Sequence, residues 1–302
     1  MTLPNFLIIG AMKAGTTSLY RYIKQHPQVF MSPVKEPNFF ALEGEVLDDP
    51  RVTVTDLKAY TALFESVTDE VAIGEASVRY LYSEKAAKRI HHHIPDAKLL
   101  VVLRNPVERA FSAYVYQFSR GSDLLPQFSE ALQAEPERIA KDFDCWWHYK
   151  AMGFYHAQLQ PYYRYFSPQQ IKICLHEDLC EQSNSMLAEI FQFLQVDPSF
   201  QPNTAQQHNT TRVPQNQFIH NFLTKPHPIK EVFKPLFSSD LRYKIVKGLR
   251  QKNLTAASNV DPAKRPVLTP SVRQRLISDY REDILQLQDL LQRDLSHWLQ
   301  VE

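Results

Sequence analysis

A loop that combines glycine, a lysine and hydroxyl residues follows the first hydrophobic segment of the chain, Phe6–Ile9. Only 7 of the 302 residues are glycine, and two of them, Gly10 and Gly15, lie in this loop. Glycine lets the backbone turn sharply and approach a ligand closely. The hydroxyl residues at 16–18 can begin a helix whose first amides face an anion, and Lys13 adds a positive charge. The sequence therefore predicts a phosphate-binding loop.

The position of the lysine distinguishes this loop from the nucleoside-triphosphatase pattern. In that pattern the lysine follows the second glycine and precedes Ser or Thr, whereas Lys13 comes two positions before Gly15. A kinase or triphosphatase also needs a metal-binding aspartate after a strand, and only Glu75 stands in such a place. A P-loop kinase or triphosphatase is thus the rival enzyme class. A non-catalytic nucleotide-binding protein is a further alternative.

A second group of residues with phosphate-binding chemistry follows the hydrophobic run Lys98–Leu103. Arg104 comes directly after this run, and its forked guanidinium suits a phosphate. Pro106 suits the first turn of a helix, and Ser112 lies about two turns further along. We expect Arg104 and Ser112 to bind one phosphate group together.

Short hydrophobic segments alternate with amphipathic segments along the chain, which predicts an α/β fold with a parallel β-sheet flanked by helices. In such sheets ligands bind at the carboxyl ends of the strands. We therefore expect the loops after Ile9, Ile73 and Leu103 to open on one edge. The predicted strands are Phe6–Ile9, Val71–Ile73, Leu99–Leu103 and Ile171–Leu175, and the predicted helices are Thr17–Gln25, Ser83–His93, Pro106–Phe118, Phe128–Ala134, Tyr155–Tyr165, Ser185–Leu194, Asp240–Leu249 and a closing helix with apolar positions from Val272 to Leu291.

Composition narrows the class of protein. The length suits a single domain over residues 1–302. A net charge of +1 disfavours a nucleic-acid-binding protein with a globally basic surface. Cys145, Cys174 and Cys180 have neither an even count nor a metal-ligand spacing, which predicts a reducing compartment and no disulfide framework. The sequence has no apolar stretch long enough for a membrane helix, and the loop begins too soon after Met1 for a signal peptide, so we expect a cytoplasmic location.

The segment from Gln201 to Pro266 breaks the regular pattern. Between Lys225 and Arg265 there are ten Lys/Arg residues and three acidic residues. This excess fits an ordinary solvated surface, and it also fits a basic lid over an anionic ligand, because clustered charge raises the local concentration of anions. Both interpretations stay open.

Together, the two phosphate-binding elements resemble those of sulfotransferases that use 3′-phosphoadenosine 5′-phosphosulfate (PAPS). The similarity is to the branch that contains the heparan-sulfate N- and O-sulfotransferases and their bacterial relatives. Asn5–Leu19 looks like the family's 5′-phosphosulfate loop, and Leu99–Tyr114 looks like its 3′-phosphate element. Further family-like segments, in family order, are His26-Pro27, Lys35–Phe40, Gly74–Ser77 and Arg293–Trp298.

The resemblance implies a P-loop three-layer fold and a role for each matching residue. Lys13 would contact the transferring sulfonate and the leaving phosphate. Arg104 and Ser112 would bind the 3′-phosphate, and Lys264-Arg265 resembles a shortened form of the family's basic cofactor loop. No metal is required, because the sulfonate carries less charge than a phosphoryl group. The backbone amides implied for the 5′-phosphate are those of Ala14, Gly15, Thr16, Thr17 and Ser18.

The resemblance also implies a general base. Glu36 lies where heparan-type members place their catalytic glutamate, and Glu75, at a predicted strand end, is the rival base. Lys35 is expected to bind sulfonate or acceptor. Heparan enzymes commonly carry Glu-Lys where this chain has Glu75-Ala76, and Arg79 is a candidate for the missing charge. The resemblance implies an acceptor hydroxyl or amine, carried by a small molecule, glycan, lipid or polyketide.

Overall fold

The computed structural model describes residues 2–46, 54–205, 212–214, 248, 254–256 and 266–301. Contacts group the chain into two compact units. The first contains Met1–Arg109, Met152–Asn209 and Ile277–Glu302, and the second contains Ala110–Ala151 and Thr210–Leu276. The expectation of one sulfotransferase domain over residues 1–302 stays a prediction. Lys264, Arg265 and all of the predicted helix Asp240–Leu249 except Gly248 lie outside the described residues.

The first unit is built on a five-stranded sheet with the strand order β2-β3-β1-β4-β5, and all its strand pairs are parallel. Helices flank this sheet, so the predicted α/β class is confirmed. The strands are β1 (Phe6–Gly10), β2 (Val29–Met31), β3 (Ala72–Ala76), β4 (Lys98–Leu103) and β5 (Ile171–Leu175).

Burial explains why these segments form central strands. Every residue of β1, and every residue of β4 after Lys98, is buried. Strands covered by helices on both faces read as continuous hydrophobic runs rather than alternating ones. The three-residue strand β2 was not predicted, because it is too short for such a run to stand out. It pairs with β3 at the edge of the sheet, with Val29 opposite Ala72.

The carboxyl end of β1 contains an irregularity that leads into the phosphate-binding loop. The register between β1 and β4 shifts after Ile8, so that Gly10 faces Val101 and Ile9 is the extra residue. Such a bulge bends a strand and increases its twist. A Cβ atom on Gly10 would lie 2.7 Å from Cβ of Leu81, so only glycine fits there without movement.

The helices largely follow the sequence-based predictions. The predicted helix Ser83–His93 begins only at Ala86, because Ser83 has an extended ψ of 120° that ends the short helix before it. The described helices that lie in the first unit are α1 (Thr16–Ile23), α2 (Phe39–Leu42), α3 (Leu57–Ala62), α4 (Arg79–Tyr82), α5 (Ala86–His93), α8 (Tyr155–Tyr165), α9 (His176–Glu181) and α10 (Ser183–Leu194).

Helices α6 (Pro106–Ser119) and α11 (Pro270–Leu291) have residues in both units, and α7 (Phe128–Ala140) belongs to the second. The α7 helix was predicted to end at Ala134 but continues through Pro136, since proline bends a helix without always ending it. The two-stranded antiparallel pair of β6 (Arg212–Pro214) and β7 (Leu254–Ala256) also belongs to the second unit.

Two buried carboxylates organise the second unit. Glu135 on α7 accepts hydrogen bonds from the amides of Lys150 and Ala151, both at 2.7 Å. Asp123 accepts two from the Arg138 guanidinium, at 2.7 and 3.0 Å, and one from the Tyr149 hydroxyl. A buried carboxylate is costly unless hydrogen-bond donors replace the water that it loses. Both carboxylates have such donors. None of the described helices has the length and hydropathy needed to cross a membrane.

Candidate functional site

The carboxyl ends of the five parallel strands bring chemically active residues to one edge of the first unit. This is the edge where open α/β sheets bind ligands. Three of the five strand ends were expected to contribute, and the structure adds those of β2 and β5. The residues at or shortly after the ends of β1, β2, β3, β4 and β5 are Lys13, Glu36, Glu75, Arg104 and His176, respectively.

Two left-handed residues shape the phosphate-binding loop. Gly15 precedes α1 with φ of 96°, and Lys13 has φ of 67°. A Cβ atom on Gly15 would lie 2.8 Å from Cδ2 of Leu179 and 3.0 Å from Nδ1 of His176. Positive φ is inexpensive for glycine, but costs a residue such as lysine on the order of 1 kcal/mol. The strain at Lys13 therefore lies at a residue for which the sequence predicts a functional role.

Some of the loop amides already have acceptors within the loop. The amide of Ala14 donates to Ala11 O at 3.2 Å, and that of Ser18 donates to Gly15 O at 3.0 Å. Thr16 and Thr17 begin α1, and first-turn amides have no acceptor inside their own helix. Of the five amides implied for the 5′-phosphate, those of Gly15, Thr16 and Thr17 are therefore the best placed to bind an anion.

Arg104 reaches the phosphate-binding loop. Its Nη1 atom donates to Lys13 O at 3.3 Å, and its own carbonyl accepts a hydrogen bond from the Tyr155 hydroxyl at 2.8 Å. Burial, and secondarily the charge of Arg104, lower the pKa of Lys13 to about 8. The two cationic side chains repel each other, and an anion bound between these adjacent strand ends would favour the charged form of both. The donor set therefore fits a phosphate or sulfonate group.

Glu36 is held at the same edge by several contacts to the end of β3. Its amide donates to Ala76 O at 2.9 Å, and its Oε2 atom accepts from the amide of Val78 at 3.0 Å. Lys35 Nζ lies 2.5 Å from Glu36 Oε1. Asn38 Nδ2 donates to Glu36 O at 2.9 Å, and Glu36 has φ of 65°. A carboxylate fixed this firmly is oriented before any ligand arrives.

Glu75 lies behind this loop and is completely buried. Its carboxylate accepts hydrogen bonds from the Tyr60 hydroxyl at 3.2 Å and from Ser77 Oγ at 2.9 Å. Ser77 Oγ in turn accepts from the amide of Asn38 at 3.0 Å. Burial, helped by the charge of Glu36, raises the pKa of Glu75 to about 7. Glu75 has no exposed surface. Through Ser77 Oγ, its carboxylate supports the backbone of the Glu36 loop at Asn38.

His176 is the residue at this edge that the sequence analysis missed. It is the first residue of α9 and directly follows β5, and its Nδ1 atom lies 3.1 Å from Ala14 O. Burial, and secondarily the charge of Arg104, lower the pKa of His176. The signal that could have found it is its place directly after the predicted strand Ile171–Leu175, the same rule that selected Arg104.

Comparison with known proteins identifies the family. The sulfotransferase domain family matches residues 3–221, which is more than half of the chain. The chain belongs to the sulfotransferase family. A crystal structure of a sulfotransferase from Alicyclobacillus acidocaldarius is similar to the whole chain, with a TM-score of 0.75 and 31% sequence identity over 99% of this chain and 100% of that one. The predicted resemblance and the fold class are thus both confirmed.

Curated relatives of this sulfotransferase are larger proteins. Human bifunctional heparan sulfate N-deacetylase/N-sulfotransferase 3 is 27% identical over 200 residues, which is 66% of this chain and 23% of the relative. Carbohydrate sulfotransferase 15 from Rattus norvegicus is 30% identical over 250 residues, 65% of this chain and 44% of the relative. The chain therefore spans less than half the length of these curated relatives.

Two of the remaining predicted site residues of the sulfotransferase, Ser112 and Arg79, lie on the helices that follow β4 and β3, respectively. Ser112 is half-buried on α6 and belongs to the second unit, and Arg79 is half-buried at the start of α4. Lys264 and Arg265 are outside the described residues, so their roles stay predictions. Within the described ranges, no three His, Cys, Asp or Glu side chains group as a metal site. The three cysteines form no disulfide, and of these Cys180 is exposed.

Proposed function

We propose that this sulfotransferase moves a sulfonate group from PAPS to a hydroxyl or amine of an acceptor. Lys13 stabilises the transferring sulfonate and the leaving phosphate, and Glu36 removes the proton from the attacking group. The loop amides and Arg104 bind the donor's phosphates, with Ser112, Lys264 and Arg265 as further candidates for its 3′ end. Lys35 and Arg79 are candidates for contact with the acceptor.

One observation carries this proposal most strongly: the hydrogen bond from Arg104 to Lys13 O, 3.3 Å between Nη1 and O. It joins a loop of phosphate-binding character to a strand-end arginine that is distant in sequence. A nucleotide with phosphates at both its 5′ and its 3′ positions needs two such elements at one sheet edge. A ligand with one phosphate chain, such as ATP, does not.

The chain's own residues suit sulfonate transfer in two ways. PAPS supplies an electrophilic sulfur with a phosphate leaving group. Lys13 and the first-turn amides of α1 place positive charge where negative charge grows on the leaving oxygen. Glu36 keeps lone pairs beyond those used by Lys35 and Val78, since each carboxylate oxygen accepts about two hydrogen bonds. The acceptor proton can therefore pass to Glu36 without displacing its protein donors.

Family names guide the choice of acceptor class. The relatives named above are a heparan sulfate N-deacetylase/N-sulfotransferase and a carbohydrate sulfotransferase. We therefore place a glycan hydroxyl or amine first, ahead of a lipid or polyketide-type hydroxyl. The Glu75-Ala76 pair lacks the lysine common in heparan enzymes, which favours a glycan unlike heparan. A cytoplasmic location stays a prediction from the sequence.

Donor binding and transfer can be tested separately. Calorimetric titration with adenosine 3′,5′-bisphosphate (PAP), in EDTA, should show micromolar-range binding, and ATP with magnesium should bind far more weakly. Radiolabelled PAPS should then label members of an acceptor panel of amino-sugar oligosaccharides, lipids and hydroxylated polyketides. Binding of ATP that requires magnesium, without binding of PAP, would contradict the proposal and favour the kinase class.

A further inference from the structure

His176 makes a contact whose direction can be assigned from chemistry alone. Its Nδ1 atom lies 3.1 Å from Ala14 O. A carbonyl oxygen can only accept a hydrogen bond, so Nδ1 carries the hydrogen and donates it. In the neutral ring Nε2 is then the acceptor, and Cys180 Sγ lies 3.6 Å from it. Partial desolvation raises the pKa of Cys180, which keeps the thiol protonated and able to donate.

The lowered pKa of His176 agrees with this arrangement, because it favours the neutral ring. The groups that face the ring are Arg104 after β4, Ala14 in the phosphate-binding loop, and Glu177 and Cys180 on α9 itself. The resulting chain of donors runs from the Cys180 thiol through the imidazole to the Ala14 carbonyl. Such a chain fixes one tautomer and one ring orientation.

Helix α9 is itself anchored to the C-terminal part of the first unit. Asp178 accepts two hydrogen bonds from the Arg293 guanidinium, at 2.6 and 2.7 Å, and Glu177 lies 3.0 Å from Nε2 of His297. Bidentate pairs of this kind add geometric precision as well as energy. Leu179 of the same helix lies against Gly15. The imidazole therefore approaches the loop from a support held on several sides.

The contact between His176 Nδ1 and Ala14 O also bears on the direction of the Gly15 amide, because both groups belong to the same peptide unit. In a trans peptide the carbonyl oxygen of Ala14 and the amide hydrogen of Gly15 point in opposite directions. A donor that holds Ala14 O on one side therefore turns the Gly15 amide to the other. The Gly15 amide is one of the three that remain best placed to bind an anion.

We propose that His176 is a positioning residue for donor binding, which holds the Ala14–Gly15 peptide through its Nδ1–H so that the Gly15 amide faces the donor's 5′-phosphate. This inference rests on the proposed function, because the ligand it serves is PAPS or its product PAP. His176 does not touch the reacting atoms. It acts through the loop backbone.

Three substitutions of His176 distinguish a role in positioning the loop peptide from a role in packing alone. His176→Asn keeps an N–H donor at the place of Nδ1, whereas His176→Gln can offer one only at the place of Nε2. His176→Phe keeps a planar ring but has no donor. Loss of one hydrogen bond of this kind corresponds to a roughly five- to tenfold weaker affinity. His91, which lies on α5 in contact with Tyr165, offers matched controls as His91→Phe and His91→Asn.

The dissociation constant of PAP, measured by calorimetry, is the readout, with thermal unfolding as the check on folding. We expect roughly five- to tenfold weaker binding for His176→Phe and His176→Gln, near wild-type binding for His176→Asn, and no change for the His91 variants. In transfer assays KM for the donor should rise with little change in kcat. If His176→Phe does not fold, the comparison of the asparagine variant with the glutamine variant still decides the matter.

Two results would overturn the inference, and they are distinguishable from failure of the proposed function. Folded His176 variants that all bind PAP as tightly as the wild type would remove the positioning role. Equal weakening in His176→Asn and His176→Gln would assign the effect to packing instead. Wild-type protein that does not bind PAP at all would instead remove the proposed function, and this inference with it.

Discussion

The guanidinium of Arg104 and the backbone carbonyl of Lys13 are joined by a hydrogen bond, at 3.3 Å between Nη1 and O. Arg104 leaves the end of β4 and Lys13 lies in the loop after β1, two strands that are neighbours in the sheet. The bond places a fixed positive charge beside the lysine and lowers its pKa further than burial alone does. The charge state of Lys13 therefore becomes sensitive to pH in an accessible range.

The affinity for PAP should fall as pH rises through about 8. Lys13 has a pKa of about 8 in the free protein, so it loses its proton above that value. A bound anion favours the charged form, so binding above this pH must take up a proton. The phosphates themselves are fully ionised above about pH 7.5. We expect roughly tenfold weaker binding at pH 9.5 than at pH 7.5, measured by calorimetry in buffers of different ionisation enthalpy.

Lys13→Arg is the control for this pH dependence. Arginine stays charged over the whole range, so its affinity for PAP, although different from that of the wild type, should not change between pH 7.5 and 9.5. A wild-type affinity that is equally flat would show that Lys13 does not titrate there.

Gly15→Ala should weaken PAP binding and destabilise the protein more than Gly44→Ala does. Both glycines have positive φ, at 96° and 74°. A Cβ atom on Gly15 would meet Leu179 and His176, whereas one on Gly44 would meet nothing within 4 Å. The Gly44 variant should lose about 1 kcal/mol of unfolding free energy from its backbone alone.

The Gly15 variant should lose more, because either the loop or α9 must move, and its affinity for PAP should fall at least tenfold. Urea unfolding and calorimetry measure the two effects. Equal losses of stability in both variants, with PAP binding intact in each, would show that the loop tolerates a side chain at Gly15.

Lys13 and Arg104 could be predicted from the sequence because each follows a long hydrophobic strand in a parallel sheet. The carboxyl end of such a strand lies at the ligand-binding edge of the sheet, so it can be located without knowing how the helices pack. Glu36 could not be found in this way. Its strand, β2, has only three residues, so no periodicity marks it. Only the resemblance to a known family pointed to Glu36.

The burial of Glu75 and the contact of His176 with the loop depend on tertiary packing. Glu75 is enclosed by Tyr60 from α3 and Tyr80 from α4, and no local pattern predicts that these side chains converge. His176 does follow a correctly predicted strand, so the strand-end rule could have selected it. Its contact with Ala14, however, depends on α9 packing against the loop.

Glu36→Gln should slow sulfonate transfer by at least about 100-fold while leaving PAP binding within about twofold of the wild type. Glutamine keeps the size of the side chain but cannot take the acceptor's proton, and loss of a general base costs roughly 10²- to 10⁴-fold in rate. Transfer from radiolabelled PAPS to the best acceptor of the panel is the measurement. Glu75→Gln is the matched variant, which should retain measurable transfer. Activity that survives in Glu36→Gln but disappears in Glu75→Gln would assign the base to Glu75.

The wild-type protein should lose stability relative to Glu75→Gln as pH rises from 5 to 8. Burial raises the pKa of Glu75 from 4.5 to about 7, so between these values the folded state keeps a proton that the unfolded state has released. The contribution of Glu75 to the free energy of unfolding is therefore largest below about pH 4.5 and is lost as pH rises through about 7. The expected loss between pH 5 and 8 is about 2 kcal/mol.

Urea unfolding of the wild type and of Glu75→Gln at several pH values measures this difference in unfolding free energy. The ionisations that both proteins share cancel in the comparison. The glutamine side chain of the variant cannot ionise. Its single oxygen can accept from the Tyr60 hydroxyl, and its amide nitrogen can donate to Ser77 Oγ. A wild type that instead gains stability over the variant with rising pH would mean that the buried carboxylate is ionised in the folded state. Glu75 would then place a second negative charge behind Glu36 at all pH values where the enzyme works.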